Sequence, residues 1–464
     1  MSALAAYRSR LEASLTELAK EERVPGAVCG VLSGGDTEVV SWGVANVTTG
    51  APVNPGTLFQ IGSISKLYTA TLVMQAVHAG VIALDEPVRS QLQEFTVADP
   101  AATIEITPRH LLTHTSGLEG DHLIDTGWNP DALARYVATL AGLGQVHPTD
   151  AAYSFCNTGY GVLGRLLEVV TGEHFDRVLR RRLTRPLGCR ATVTLPQHAL
   201  LHDVAVGHGR ADGGEPARQG RWVLTRSNGP MGGIMAPAAE LLAFARMHLD
   251  EGRASDGVDL LAPATVAAMQ RPLVTCPVPG ESQGIGWTVR RWGDLTCLGQ
   301  DADTFGQRAT LRIVPERDFA LCVMANSRAG AALGRALTAR VAGDLLDLPP
   351  ESLGLADGST PPVTPVDPDT CAGTYERLHQ RVTVTGAGGR VQLATEPSGV
   401  LQALGVCDTV LDMGGAADGP GDGRTVVAGT DPFTGQRELA VFTPAAGSQP
   451  AGLYLAGRLH RRIG

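Results

Sequence analysis

The rhythm of apolar and polar positions changes several times along this chain. From Met1 to Arg23, Leu and Ala are mixed with Arg8, Arg10, Glu12, Glu17, Lys20 and Glu21, the pattern of an amphipathic helix. The apolar run from Pro25 to Leu32, the turn Ser33-Gly34-Gly35-Asp36 and the stretch Thr37 to Trp42 predict two strands. Residues 63–80 predict a helix, with Leu67, Ala70, Val73, Met74 and Val77 on one stripe. A helical, loop-rich middle runs from about residue 84 to 275. Strand patterns return at 286–289, 309–314 and 319–324, and a last helix is predicted over 328–346. Strands at both ends with helices between them predict an α+β fold: an antiparallel sheet flanked by helices, with an all-helical insert.

The pattern then breaks. Residues 347–370 hold Pro349-Pro350, Pro361-Pro362, Pro365 and Pro368 with Gly and Asp between them, which predicts a linker. From Cys371 onward, short apolar runs such as Arg381–Val384, Arg390–Leu393, Thr425–Val427, Leu439–Phe442 and Leu453–Leu455 alternate with Gly-rich turns. About six to eight such strands predict a small antiparallel β-barrel or sandwich. The expected division is therefore 1–346, a linker over 347–370, and a small all-β domain over 371–464.

Composition narrows the function. A hydrophobic content of 43% supports a substantial core, and with only 5% aromatics, Ala, Val and Leu must fill most of it. The net charge of -9 argues against nucleic acid or an anionic membrane as partner. The first residues lack an apolar core of signal-peptide length, and no stretch reaches about 18 uninterrupted apolar residues. The expectation is a cytoplasmic protein with no membrane partner. Cysteines at 29, 156, 189, 276, 297, 322, 371 and 407 are scattered without a C-x-x-C, and are expected to be reduced and mostly buried.

The chain has only two lysines, Lys20 and Lys66, beside 36 arginines. One of them lies three places after a serine, in Gly62-Ser63-Ile64-Ser65-Lys66. Arg stays protonated, whereas a desolvated Lys can lose its proton and act as a base. Positions i and i+3 share a helix face, so Lys66 can reach Ser63 and activate its hydroxyl. This is an S-x-x-K arrangement.

Leu58-Phe59-Gln60-Ile61-Gly62-Ser63-Ile64-Ser65-Lys66 resembles the nucleophile segment of the β-lactamase-related serine hydrolases, the penicillin-binding-protein-like family. His110–Leu118, Tyr153–Tyr160 and Gly299–Gln307 resemble its further motifs in the right order, so the resemblance spans roughly residues 10–345. The tail beyond 370 is similar to the lipocalin-like β domain that many members append. The resemblance implies that Ser63 forms an acyl-enzyme, that Lys66 is its base and that Asn157 holds Lys66 and the substrate amide. It implies an oxyanion site made of the backbone N–H groups of Ser63 and of a strand residue near Asp303. It implies substrate contacts at Tyr153, Phe155, Gln300, Ala302 and Asp303, a small-molecule acyl donor and acceptor, and no cofactor or metal.

The departures matter too. Phe155 falls where the family has a tyrosine, and a benzyl group shuttles no proton. Gln300-Asp301-Ala302 replaces an H-x-G, so a charge is lost and a wall narrows. One reading is an esterase or transacylase of a biosynthetic pathway, whose acyl group passes to an amine, alcohol or water. The other is a catalytically impaired binder of an acyl or peptide ligand. Three further signals read as structural: His110 and His114 as a helix end, Gly159-x-Gly161-x-x-Gly164 as close helix packing, and Cys156 as a buried thiol. Arg458, His460, Arg461 and Arg462 read equally as a solvated terminus or as a group reaching the site mouth.

Overall fold

The computed structural model describes residues 2–210, 216–219, 222, 224–354, 368–387, 389–403, 408–415, 424–430, 437–444 and 451–463. Its larger sheet has nine strands: β1 (Gly26–Ser33), β2 (Asp36–Asn46), β3 (Ala51–Pro52), β4 (Val274–Thr275), β5 (Glu281–Gln283), β6 (Thr288–Trp292), β7 (Leu295–Thr304), β8 (Gln307–Val314) and β9 (Phe319–Ala325). Their order is β3-β2-β1-β9-β8-β7-β6-β5-β4, with every neighbouring pair antiparallel. Strands from the two ends of this region thus meet at the β1–β9 pair, where Val28 faces Met324.

β1 reads as continuously apolar because both its faces are covered. Ala27, Cys29 and Val31 pack toward α1 (Ala3–Glu21) and a C-terminal helix, Gly330–Leu346. Val28 and Leu32 pack into the larger core on the other face. At Gly30 a Cβ would stand 2.8 Å from Leu242 Cδ1 on the helix Ala238–Leu249, so that helix packs close against the strand there. The amphipathic N-terminal helix buries Leu4, Leu11, Leu15, Leu18 and Ala19.

α2 (Ser65–His78) differs from its one-striped expectation. Leu67, Ala70, Val73 and Met74 are buried, and so are Ser65, Lys66, Thr69 and Thr71 on the remaining faces. Thr69 donates to Pro230 O at 2.7 Å and Thr71 to Leu67 O at 2.8 Å, so the polar positions are satisfied inside the protein. A 3₁₀ turn, Gly62–Ile64, precedes the helix and carries the serine.

The second sheet is a closed antiparallel barrel of eight strands: β10 (Gly373–Arg377), β11 (Gln380–Ala387), β12 (Arg390–Pro397), β13 (Thr409–Gly415), β14 (Thr425–Thr430), β15 (Arg437–Thr443), β16 (Gly452–Leu455) and β17 (Arg458–Arg462). β17 closes it by pairing with β10. Tyr375, Val382, Leu393, Met413, Val427 and Leu453 fill its interior. Most of the proline-rich stretch, 355–367, lies outside the described residues, as does Cys407. The other seven cysteines are free and buried.

Candidate active site

Ser63 and Lys66 meet as their spacing predicts: Lys66 Nζ lies 3.0 Å from Ser63 Oγ. The lysine is 1% exposed, and its other hydrogen bond goes to Met231 O at 2.7 Å. That carbonyl belongs to the short helix Gly229–Gly232, whose carbonyls at 230 and 231 both face α2. Burial pulls the Lys66 amine down to about 7; the Arg458 cation pulls the same way, and Asp121 and Cys156 oppose it. Near neutrality a large fraction of this amine is unprotonated and within hydrogen-bonding reach of the hydroxyl.

The serine's turn is pressed against β7. Gly62 has φ 47°, and a Cβ there would stand 2.8 Å from Thr304 Cγ2 and 3.0 Å from Ala302 Cβ. Ala302 is buried and faces that turn. Gln300, two places back on the same face of the strand, is buried and donates to Asp301 O at 3.3 Å. Asp301 points to the other face, where it pairs with Arg312 at 2.6 Å and lies 3.7 Å from Arg290. Asp303 also turns away, its carboxylate 3.1 Å from Arg308, and only its backbone lies near the serine turn.

The Y-x-N-like segment closes the other side. Phe155 presents its ring to an amine and a guanidinium: Lys66 Nζ stands 4.7 Å and Arg458 Cζ 4.8 Å from its centroid. Asn157 opens α3 (Asn157–Thr171), and its amide donates to Asp121 Oδ1 at 2.7 Å, while the hydrogen bonds of Lys66 go to Ser63 and Met231. Tyr153 is directed elsewhere. It packs edge-on to His114 and lines a cleft of about 380 Å³ with Thr115, Asp150, Val274, Arg424 and Tyr454. Burial raises its phenol well above the usual tyrosine range.

The sequence reading missed Asp121, which is buried and gathers Asn157, Arg377 and Arg458 around it. Burial would raise its carboxyl, but Arg458 and then Arg377 outweigh that and hold it well below the usual carboxylate range. Of the two readings left open for Arg458, His460, Arg461 and Arg462, the solvated one fails for the first two. Arg458 reaches Asp121, and His460 is fully buried beside Arg377 and Gln380, whereas Arg461 and Arg462 are exposed. A cluster of polar residues near a chain end carries no local sign of this docking.

The signals read as structural are so placed. His110 Nδ1 accepts from Thr107 N in a capping box, and His114 Nδ1 accepts from Cys156 N at 2.9 Å. A Cβ at Gly164 would meet Pro230 at 2.2 Å and one at Gly161 would meet Tyr136 at 2.5 Å, so these glycines serve helix packing. Burial pushes the Cys156 thiol up to about 11, which leaves it protonated near neutrality.

A family model described as Beta-lactamase matches residues 11–345. Penicillin-binding protein 4 of Amycolatopsis lactamdurans is 38% identical over 367 residues, covering 78% of this chain and 95% of that protein. A crystal structure of SurE is similar with a TM-score of 0.79 at 29% identity, over 99% of this chain and 100% of that one. SurE with D-Leu gives a TM-score of 0.75 at the same identity and coverage. An octameric penicillin-binding protein homologue from Pyrococcus abyssi shares the fold, with a TM-score of 0.66 at 20% identity over 97% of this chain and 99% of that one.

Proposed function

Because this chain belongs to the β-lactamase and penicillin-binding-protein family of serine hydrolases and acyltransferases, we propose that it is a Ser63 acyl-transfer enzyme, an esterase or transacylase serving a biosynthetic pathway in the cytoplasm. Residues 1–346 would form its catalytic domain and 371–464 an appended barrel. The observation that carries this reading is the Lys66 amine, buried, drawn down to about 7 and 3.0 Å from Ser63 Oγ.

The steps follow from that pair. Lys66 accepts the Ser63 proton as Oγ attacks the carbonyl carbon of an ester, thioester or amide. The oxyanion is held by the backbone N–H of Ser63 and one from β7 near Asp303, each worth a few kcal/mol. Collapse breaks the bond to the leaving group, which takes the proton from the Lys66 ammonium. An amine, an alcohol or water then attacks the acyl carbon as Lys66 accepts its proton; the bond from that carbon to Ser63 Oγ breaks, and Oγ takes the proton back from Lys66. Phe155 adds no proton relay, so Lys66 serves both directions. Gln300 and Ala302 line the donor side, and Tyr153 faces the neighbouring cleft. The likeness to SurE, solved with D-Leu, supports a small donor or acceptor carrying an amino-acid unit.

The test is a fluorophosphonate followed by intact mass. One adduct is expected, absent in Ser63→Ala, with a labelling rate that rises with pH through about 7 as Lys66 loses its proton. Phe155 in place of a phenol favours a second reading, a non-catalytic binder of an acyl or peptide ligand. No adduct with any fluorophosphonate, β-lactam or thioester, together with a thermal shift from an acyl ligand, would replace the first reading by the second.

A further inference from the structure

The barrel is fastened to the site through a seam of hydrogen bonds and buried charges. Gly457, in the turn between β16 and β17, accepts the Phe155 N–H at 3.0 Å. Leu459 N donates to Ser154 Oγ at 3.2 Å, and Leu378 N to Glu119 Oε2 at 3.0 Å. Arg377 Nη1 donates to Asp121 Oδ2 at 2.7 Å. Arg458 Nη2 donates to Asp121 Oδ1 at 3.2 Å, with its Nε 2.8 Å from Oδ2 but off the hydrogen-bonding direction. The side chains of Asp121 and Arg377 are 3% and 8% exposed, and that of Arg458 is 21% exposed.

Two connections run from Arg458 to the nucleophile. One passes through Asp121 Oδ1, which also accepts the Asn157 amide. The other crosses the Phe155 ring, over which the guanidinium and the Lys66 amine both stand. We propose that Arg458 is a positioning residue of the acylation site: it fixes Asp121, and through it Asn157, in one arrangement, and it sets its guanidinium over the same Phe155 ring as the Lys66 amine.

The surroundings of Lys66 leave this assignment to few groups. Ser63 lies on its own turn, His114 on the segment after the short helix Pro108–Leu112, and Cys156 and Tyr160 at the start of α3. Burial holds His114 well below the usual range, pushes Cys156 up to about 11 and raises Tyr160, so all three are neutral near pH 7. Among the described residues, Arg458 and Asp121 remain as the charges that face the amine, and Asp121 is shared between two guanidiniums.

The catalytic consequence rests on the acyl-transfer reading, but the titration does not. With Lys20 and Lys66 as the whole lysine complement, protein labelled with ¹³C at the lysine ε-carbon gives two resonances, which Lys20→Arg assigns. Lys66 is expected to titrate near 7 in the native protein. In Arg458→Met the midpoint should rise by roughly one unit, and Arg377→Met should move it less than half as far. Arg458→Lys keeps the charge but not the planar guanidinium that places Nη2 on Oδ1 and Nε 2.8 Å from Oδ2 of Asp121. Its midpoint should stay close to native while fluorophosphonate labelling slows roughly ten- to hundredfold through the loosened Asn157.

An unmoved midpoint in folded Arg458→Met would overturn the proposal. Should methionine at 458 prevent folding, judged by circular dichroism, Arg458→Lys decides: labelling at the native rate would overturn it. A native protein that titrates near 7 yet takes no label would sink the acyl-transfer reading and leave the arginine's hold on the amine standing.

Discussion

An ammonium at position 66 would have a carbonyl and a hydroxyl as its hydrogen-bond partners, with no carboxylate in contact among the described residues, so its proton is costly inside the protein. The folded-state value of about 7 lies below the usual 10.5, and the sign of the effect follows. Below about pH 7 both states are protonated and the full cost is present; it shrinks as pH rises from 7 toward 10.5, where the unfolded state also loses the proton. Lys66→Met should therefore stabilise the protein by a few kcal/mol at pH 6, with the gain narrowing at pH 9.5 and with labelling of Ser63 abolished. Urea denaturation at the two pH values measures this, and a destabilised variant at pH 6 would contradict it. Lys66 was legible in the sequence because lysine is so rare there. Met231 was not, since it contributes a carbonyl that any residue could offer.

The turn Gly62–Ile64 and strand β7 form the element on which the serine's placement depends. Gly62→Ala asks an L-residue to adopt φ 47° and drives a methyl group to 2.8 Å from Thr304 and 3.0 Å from Ala302. A loss of about 1–3 kcal/mol and at least roughly tenfold slower labelling are expected. Thermal melts and rapid-mixing labelling check both, and a variant native in both would mean that the turn moves freely off the strand. Apolar runs made β1, β8 and β9 readable. The polar end of β7, Gln300-Asp301-Ala302-Asp303, reads poorly as a strand by propensity. It is held by ion pairs with arginines, among them Arg308 and Arg312 on the adjacent strand, which no local pattern displays. α2 was misread as one-striped because its Thr and Ser positions find partners inside the core.

The whole molecule stores neutral imidazoles in both units. Burial holds His114 well below the usual range and lowers His248 and His460 to about 3. The unfolded chain gains these protons near pH 6.5 and the folded one does not, so stability should fall as pH drops below about 6.5, by up to about 1.4 kcal/mol per pH unit for each histidine. Glu119 and Glu168, raised by burial, work against this only nearer their own titration in more acid solution. Melting temperatures between pH 7 and 5.5 test it, with a flat profile as the contrary result. At this scale the α+β sheet and the barrel were legible from alternation and from turn spacing. Their junction was not, because Arg458 and Asp121 stand 337 residues apart in sequence. That separation also orders events in time. The strand carrying Arg458 follows every other described strand of both sheets, pairs with β16 and closes the barrel against β10. By the proposed role of Arg458, the pair Ser63 and Lys66, built early in the chain, receives its neighbouring guanidinium from the strand that leaves the ribosome after all the others described.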